Sequence, residues 1–465
     1  MRSLVVAVCA LAVGVTGAFA AACSSDGTPG VANVPDATAD AVVEAAPAEG
    51  GIEQDPNVYP ADHQPIPLMT NHGGGILASV KVVTVTFAGD ARRDSLRSFD
   101  DKIVTTDWWK TTMTGVGVGV GSGGLYAELA PPWPGSARFN VDDSQIQQMI
   151  QNGINHGTLP SPGTGASSSL LYTFYFPKNV SITLGNDSSC TSFGGYHNST
   201  TVTVPLNVPV PPDGGVEAGA SDGGADAMPF DAGPVGSPIA VAYAVVPTCT
   251  SSFDDLTIPA SHELAEAASD PFVGSSTGFN LDTDDAWLPS YYAPGSQIEN
   301  GDACFDVHPQ WTEGNYLVQR IWSNSAAKAG DAPCQPVLPG RVFFAAAVRT
   351  TLQAVNGHKS YGYLFVNRGT TATAVINVFS LKALAHDLLL YTGVPKSSQS
   401  DPSDLDVLKN DITTRLSRQT AHNGNGVVLS VSVPDTSVRG DFRMVVRAVL
   451  EPDDYNDWPL IIHVR

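Results

Sequence analysis

Basic residues are scarce in this chain. Its 465 residues include 24 Lys and Arg against 46 Asp and Glu, a formal net charge of -22 with an isoelectric point near 4.6. A surface this acidic repels phosphate backbones and anionic lipid, which argues against nucleic acid or a charge-held membrane as partner. Long apolar runs are missing beyond the N-terminus, so no later segment can span a bilayer. Cysteine is sparse, with six residues and no C-x-x-C pair, which argues against a zinc site of four thiolates. No G-x-S-x-G elbow occurs, so "NHGGG" (Asn71 to Gly75) reads as a turn rather than the oxyanion loop of a lipase. The G-x-G-x-x-G spacing at Gly119, Gly121 and Gly124 does not follow a strand. It reads as a flexible or edge-strand segment, not a nucleotide site.

What is present begins with an export signal. Arg2 precedes an apolar run from Leu4 to Phe19, and small residues follow, so residues 1–22 read as a signal peptide. Cys23 after Ala20, Ala21 and Ala22 resembles a bacterial lipobox, in which the cysteine is lipidated; plain cleavage after an A-x-A site is the alternative. The protein is therefore expected to be exported, as an outer cell-envelope lipoprotein or an extracellular protein, touching membrane only through a lipid at Cys23. Once Cys9 leaves with the signal, Cys190, Cys249, Cys304 and Cys334 remain. An even number in an exported chain points to two disulfides, in any of three connectivities.

Residues 23–57 are rich in Ala, Pro, Gly, Asp and Glu and read as a disordered tether. A second such tract, residues 211–236, separates two strand-like runs and reads as an acidic insertion loop within a domain. Between them, "SVKVVTVTFAG", "LLYTFYF", "TVTVPLNV" and "IAVAYAVV" have strand character. Leu96, Phe99 and Ile103 share one helical face, as do Ile146, Met149, Ile150 and Ile154. Residues 58–338 are expected to form an α+β domain, a mixed sheet with helices. Residues 339–465 turn β-rich, with one helical pattern from Asp404 to Ser417, and are expected to form an all-β, sandwich-like accessory domain.

The chemistry is concentrated in "SHELAEAASDPF", Ser261 to Phe272. It opens like the H-E-x-x-H helix of zinc peptidases, but Glu266 stands where the second histidine would be. Residues four apart share a helix face, so His262 and Glu266 can reach one ion, with Asp270 continuing that face at the end. Glu263 holds the position of the general base toward metal-bound water. Leu264, Ala267 and Ala268 are expected to pack inward, Pro259 to sit early in the helix, and Asp270-Pro271 to end it. "SQIENGDACFDVHPQW" supplies Glu299, Asp302, Asp306 and His308; Glu299 and Asp302 are the candidates for a third ligand. The bland alternative is a solvated helix face with a capping histidine, and for Glu299 and Asp302 a turn carboxylate, Asp302 standing beside Gly301. "NLDTDDAW" (Asn280 to Trp287) alternates oxygen ligands but lacks the glycine and terminal glutamate of an EF-hand, and reads as a surface turn.

"TDWWKTT", "SCTSFGGYHNST", "YAVVPTC", "HELAEAASDP", "ENGDAC" and "YLVQRIWSN" follow one another in an order that resembles the EXORDIUM/phosphate-induced protein family. The resemblance covers roughly Tyr59 to Pro336, without the acidic insertion. It implies secretion and an extracellular role; the catalytic idea comes from the helix alone. The insertion, the C-terminal domain and the lipobox depart from the plant members. Within the resembling segment the cysteines fall into two halves, which favours Cys190 with Cys249 and Cys304 with Cys334.

Two functions are compatible with these residues. One is a zincin-like, zinc-binding metallopeptidase in which His262, Glu266 and Glu299 or Asp302 hold the metal and Glu263 is the base. The other is a non-catalytic extracellular module that binds polysaccharide or protein through aromatics such as Trp108, Trp109, Trp287, Tyr291 and Tyr292.

Overall fold

The computed structural model describes residues 53–133, 138–163, 167–205, 235–273, 277–281, 298–305, 310–351, 353–355, 358–360, 362–395, 403 and 405–465. Cys23, most of the acidic insertion, Asp306, His308, Trp287, Tyr291 and Tyr292 lie outside them, as does all of "NLDTDDAW" after Leu281.

The first domain is built on a five-stranded sheet. Strands β1 (Lys81–Phe87), β2 (Ser122–Leu129), β3 (Ser167–Phe176), β4 (Tyr196–Pro205) and β5 (Val235–Pro247) lie in the order β2-β1-β3-β5-β4. The first four in that order run parallel, and β4 closes the edge antiparallel to β5. Parallel strands are covered on both faces, which is why "KVVTVTF" buries every residue after Lys81. Helices α1 (Arg93–Ile103), α2 (Asp107–Met113) and α4 (Asp254–Ser269) pack on one face, α3 (Asp143–Asn155) on the other. The glycine-rich stretch leads into β2, an edge strand. β4 and β5 flank the acidic insertion as neighbouring strands of one sheet, so the insertion interrupts the domain rather than dividing it.

Trp108 and Trp109 are fully buried, and their indole N–H groups donate to the carbonyls of Gln319 and Gly119. They are core, not contact surface. Cys190 is bonded to Cys249 and Cys304 to Cys334, the favoured pairing.

The second domain is all β. One sheet runs Phe344–Arg349, Thr370–Ser380, Gly426–Val433, Thr413–Leu416. The other runs Tyr363–Val366, Asp454–Val464, Gly440–Glu451, Leu388–Gly393, Thr420–Ala421. The two inner faces share one core. The helix expected from Asp404 to Ser417 is not formed: Asn410 and Asp411 take left-handed backbone angles, and Thr413–Leu416 pairs as a strand with Gly426–Val433. The tether is also shorter than expected. Glu53 to Asn57 lie against the second domain, where Gln54 N donates to the Gly424 carbonyl and Arg418 pairs with Glu53.

Candidate metal centre

Helix α4 follows β5 and lies across the sheet. Only its first turn meets solvent; from Leu256 onward it is buried on nearly every side, the pattern of a helix inside a core. Leu264, Ala267 and Ala268 pack inward as expected. Its start is earlier than the sequence indicates, so Pro259 sits in the helix interior. Asp270, with φ -141° and ψ 68° outside the helical range, ends it just before Pro271 and accepts the Gly278 N–H at 2.8 Å.

His262, Glu263 and Glu266 are therefore buried, at 0%, 1% and 1% exposure. His262 Nε2 lies 3.0 Å from Glu266 Oε1 and 3.7 Å from Asp302 Oδ1. Glu299 and Asp302 come from a short loop that a 3-10 turn, Asp302–Cys304, folds back onto the helix; the Cys304–Cys334 disulfide holds its end. The Asp302 N–H donates to Glu266 Oε1 at 3.0 Å, and Trp322 N donates to the Asn300 carbonyl at 2.9 Å. Gly301 lies so close that a methyl group there would be 2.7 Å from His262 Nδ1 and 2.8 Å from Glu266 Oε1.

The residue that sequence reasoning missed is His197. Side chains alternate along β4, so Tyr196 faces α3 while His197 faces α4. His197 Nδ1 is 3.5 Å from both Glu263 Oε2 and Glu266 Oε2, and Nε2 is 3.2 Å from Glu299 Oε1. Two groups of metal-ligating side chains result, His262 with Glu266 and Asp302, and His197 with Glu266 and Glu299; in each, the ligand atoms lie within 4.8 Å of one another. The third-ligand question is thus divided: Asp302 joins His262, whereas Glu299 joins His197.

Hydrogen bonds fix the imidazole tautomers. Gln319 Nε2 donates to the Gly301 carbonyl at 2.7 Å, so its Oε1 faces His262 Nδ1 at 3.0 Å and accepts from it. The His262 Nε2 lone pair then points among carboxylates, and this buried atom has no hydrogen-bond partner. His197 repeats the pattern. Its Nε2–H is directed at the Asp270 carbonyl, 3.1 Å away, which leaves the Nδ1 lone pair facing Glu263 and Glu266. Glu263 Oε1 and Glu299 Oε1 are likewise buried without a hydrogen-bond partner. Acceptors that face acceptors in a dry interior need a cation between them or protons of their own.

Without a cation, protons of their own would do this work. Burial alone would lower the His262 pKa, but Glu266, Glu263 and Asp302 outweigh it and push it up to about 10. His197 is raised well above its ordinary value, the charges of Glu299, Glu263 and Glu266 overcoming burial. Burial raises the Glu263 carboxyl and, aided by Glu266 and Asp270, raises Glu299 strongly. Burial also acts to raise Glu266, yet the two histidines hold it down to about 2. Imidazole nitrogens and carboxylate oxygens are ordinary ligands of zinc and related divalent ions, so the donor set fits such an ion.

No protein-family model matches this chain, and no curated protein matches it. Among solved structures, it is weakly similar to domains 4 and 5 of the S-layer protein SbsC, with 10% identity over 27% of this chain and 53% of that one, at a TM-score of 0.17. It spans only about half of that structure's length. A family 123 glycoside hydrolase from Clostridium perfringens gives 11% identity over 26% of this chain and 27% of the other, at 0.16. A nucleoside hydrolase-related hypothetical protein from Saccharophagus degradans gives 16% over 44% and 46%, at 0.18. At such TM-scores these likenesses carry no inference about this chain.

Proposed function

We propose that this is an exported, zincin-like metalloprotein whose first domain holds a divalent ion, zinc in the first instance, at His262, Glu266 and Asp302 and hydrolyses peptide bonds of extracellular protein. The observation that carries the reading is the buried His262 Nε2, which has no hydrogen-bond partner and points at two carboxylates. Two disulfides fit an oxidising compartment, and no helix among the described residues is long and apolar enough to cross a membrane. The sequence resemblance to the EXORDIUM/phosphate-induced family supports an extracellular placement. A bound divalent ion would supply Lewis acidity and lower the pKa of a bound water. Gln319 holds His262 in the tautomer that presents Nε2, and the Asp302 N–H fixes the Glu266 carboxylate. Glu263, one residue off the ligand face, would take a proton from attacking water.

A second reading, a non-catalytic module for protein or polysaccharide, draws on the burial of the whole cluster, with Glu299 at 3% and Asp302 at 0% exposure. The test uses the full mature chain reconstituted with zinc. Metal should be retained after dialysis and reduced in His262→Ala. Glu263→Gln should keep metal and thermal stability while losing at least about a hundredfold of chelator-sensitive hydrolysis of an unstructured protein. Retained metal without any hydrolysis by wild type would favour the second reading; absence of metal would overturn the metal reading itself.

A further inference from the structure

We infer that the centre is binuclear: a second divalent ion is held by the group His197, Glu266 and Glu299, with His197 Nδ1 as its nitrogen ligand, and Glu266 bridges it to the first. This rests on the metal reading and extends it to a two-ion site.

The first argument is geometric. The two ligand groups share Glu266. Its two oxygens face opposite ways: Oε1 lies 3.0 Å from His262 Nε2, and Oε2 lies 3.5 Å from His197 Nδ1. A carboxylate that offers one oxygen to each of two imidazoles is placed as a bridge between two ions. Bridged pairs of this kind hold their metals about 3.5–4 Å apart.

The second argument is the pair of orphaned acceptors on the His197 side. The His197 Nε2–H goes to the Asp270 carbonyl, so its Nδ1 is a bare lone pair against the oxygens of Glu263 and Glu266. Glu299 Oε1, at 3% residue exposure, is close to Nε2 yet has no hydrogen-bond partner. An ion on His262, Glu266 and Asp302 satisfies none of these atoms. Charge points the same way. Glu263, Glu266, Glu299, Asp302 and Asp270 are all buried, and when ionised they carry five negative charges. One divalent ion offsets two of them and two ions offset four, which lowers the cost of burying the cluster. A set of one imidazole and shared carboxylates per ion suits manganese, iron or zinc; manganese(II) gives the clearest readout.

The experiment is a titration of the metal-stripped full chain with manganese(II), read by bound metal per chain and by electron paramagnetic resonance. Wild type should bind two ions and, at saturation, give the broadened spectrum of a coupled pair. Glu299→Gln and His197→Asn should each bind one ion with an uncoupled six-line spectrum, while near-ultraviolet circular dichroism matches wild type. Glu266→Gln should abolish coupling. One ion per wild-type chain at saturation would overturn the binuclear inference and leave the metal reading standing. Two uncoupled ions would overturn it too, since the second would lie elsewhere. No bound ion would overturn both.

Discussion

Asp100 buries a carboxylate against two hydroxyls, accepting from Thr84 Oγ1 at 2.7 Å and Tyr175 OH at 2.6 Å. Burial raises its pKa to about 7 although both hydrogen bonds oppose the rise. An unfolded aspartate titrates near 3.8. Between those values the folded chain holds a proton that the unfolded chain has released, so stability falls as pH rises across that window and levels off above the folded value. The effect is on the order of 4 kcal/mol. Asp100→Asn should flatten this slope, measured as urea midpoints at pH 5 and pH 8; an unchanged difference would show that Asp100 does not set it. The residue scale also shows what the sequence conceals. His262, Glu263 and Glu266 are legible because helical spacing is local. His197 stands far from them in sequence, and "TVTVPLNV" placed the strand start at Thr201, whereas β4 begins at Tyr196. Extending the alternation back through "YHNST" would have put His197 opposite Tyr196, but only the sheet order shows that α4 covers that face.

Among the elements, α4 and the loop carrying Glu299 and Asp302 form one unit, and the contact depends on a missing side chain. Gly301 has φ of -74°, which any residue adopts, so its need for glycine is spatial rather than conformational. A methyl group there would collide with His262 and Glu266. Gly301→Ala should cost about 1–3 kcal/mol of unfolding free energy and, under the proposed metal reading, weaken ion binding through the displaced His262 ring. Calorimetric titration and chemical unfolding of the same sample would check both, and an unperturbed variant would mean that the loop yields without loss. The wrong helix in the second domain has an element-scale cause. Leu405, Leu408, Ile412 and Leu416 recur at near-helical spacing, yet the turn at Asn410 and Asp411 splits the run and the last part joins a sheet. Periodicity reports which residues are buried; it does not report which partner buries them.

Over the whole molecule, the chain enters through the second domain before it builds the first. His63 stacks on Phe379 with ring centroids 3.6 Å apart, and Ala61, Ile66 and Met69 join the same apolar core as Trp322 and Phe344. The composition of the tether hid this: Pro56, Asn57 and their neighbours look like linker, but the Pro56 and Val58 carbonyls and the Ala61 N–H are recruited by one distant side chain. Asn423 is 4% exposed. Its Oδ1 accepts from Ala61 N at 3.2 Å and Ser380 N at 3.0 Å, and its Nδ2 donates to the carbonyls of Pro56 at 3.0 Å and Val58 at 2.8 Å. Asn423→Ala removes all four bonds and leaves buried backbone donors unmet, a loss of about 2–3 kcal/mol by the usual cost of unsatisfied groups. The strap should then open locally before the domains unfold, because the Glu53–Arg418 pair is exposed and weak and the backbone ties left at Gln54 and Asp62 are single hydrogen bonds, to the Gly424 carbonyl and from Asn377 Nδ2. Limited proteolysis should cut the variant between Glu53 and His63 well before wild type, with a lower thermal midpoint for the second domain. Equal protection of the two proteins would show that apolar packing of Ile66 and Met69 holds the strap without Asn423.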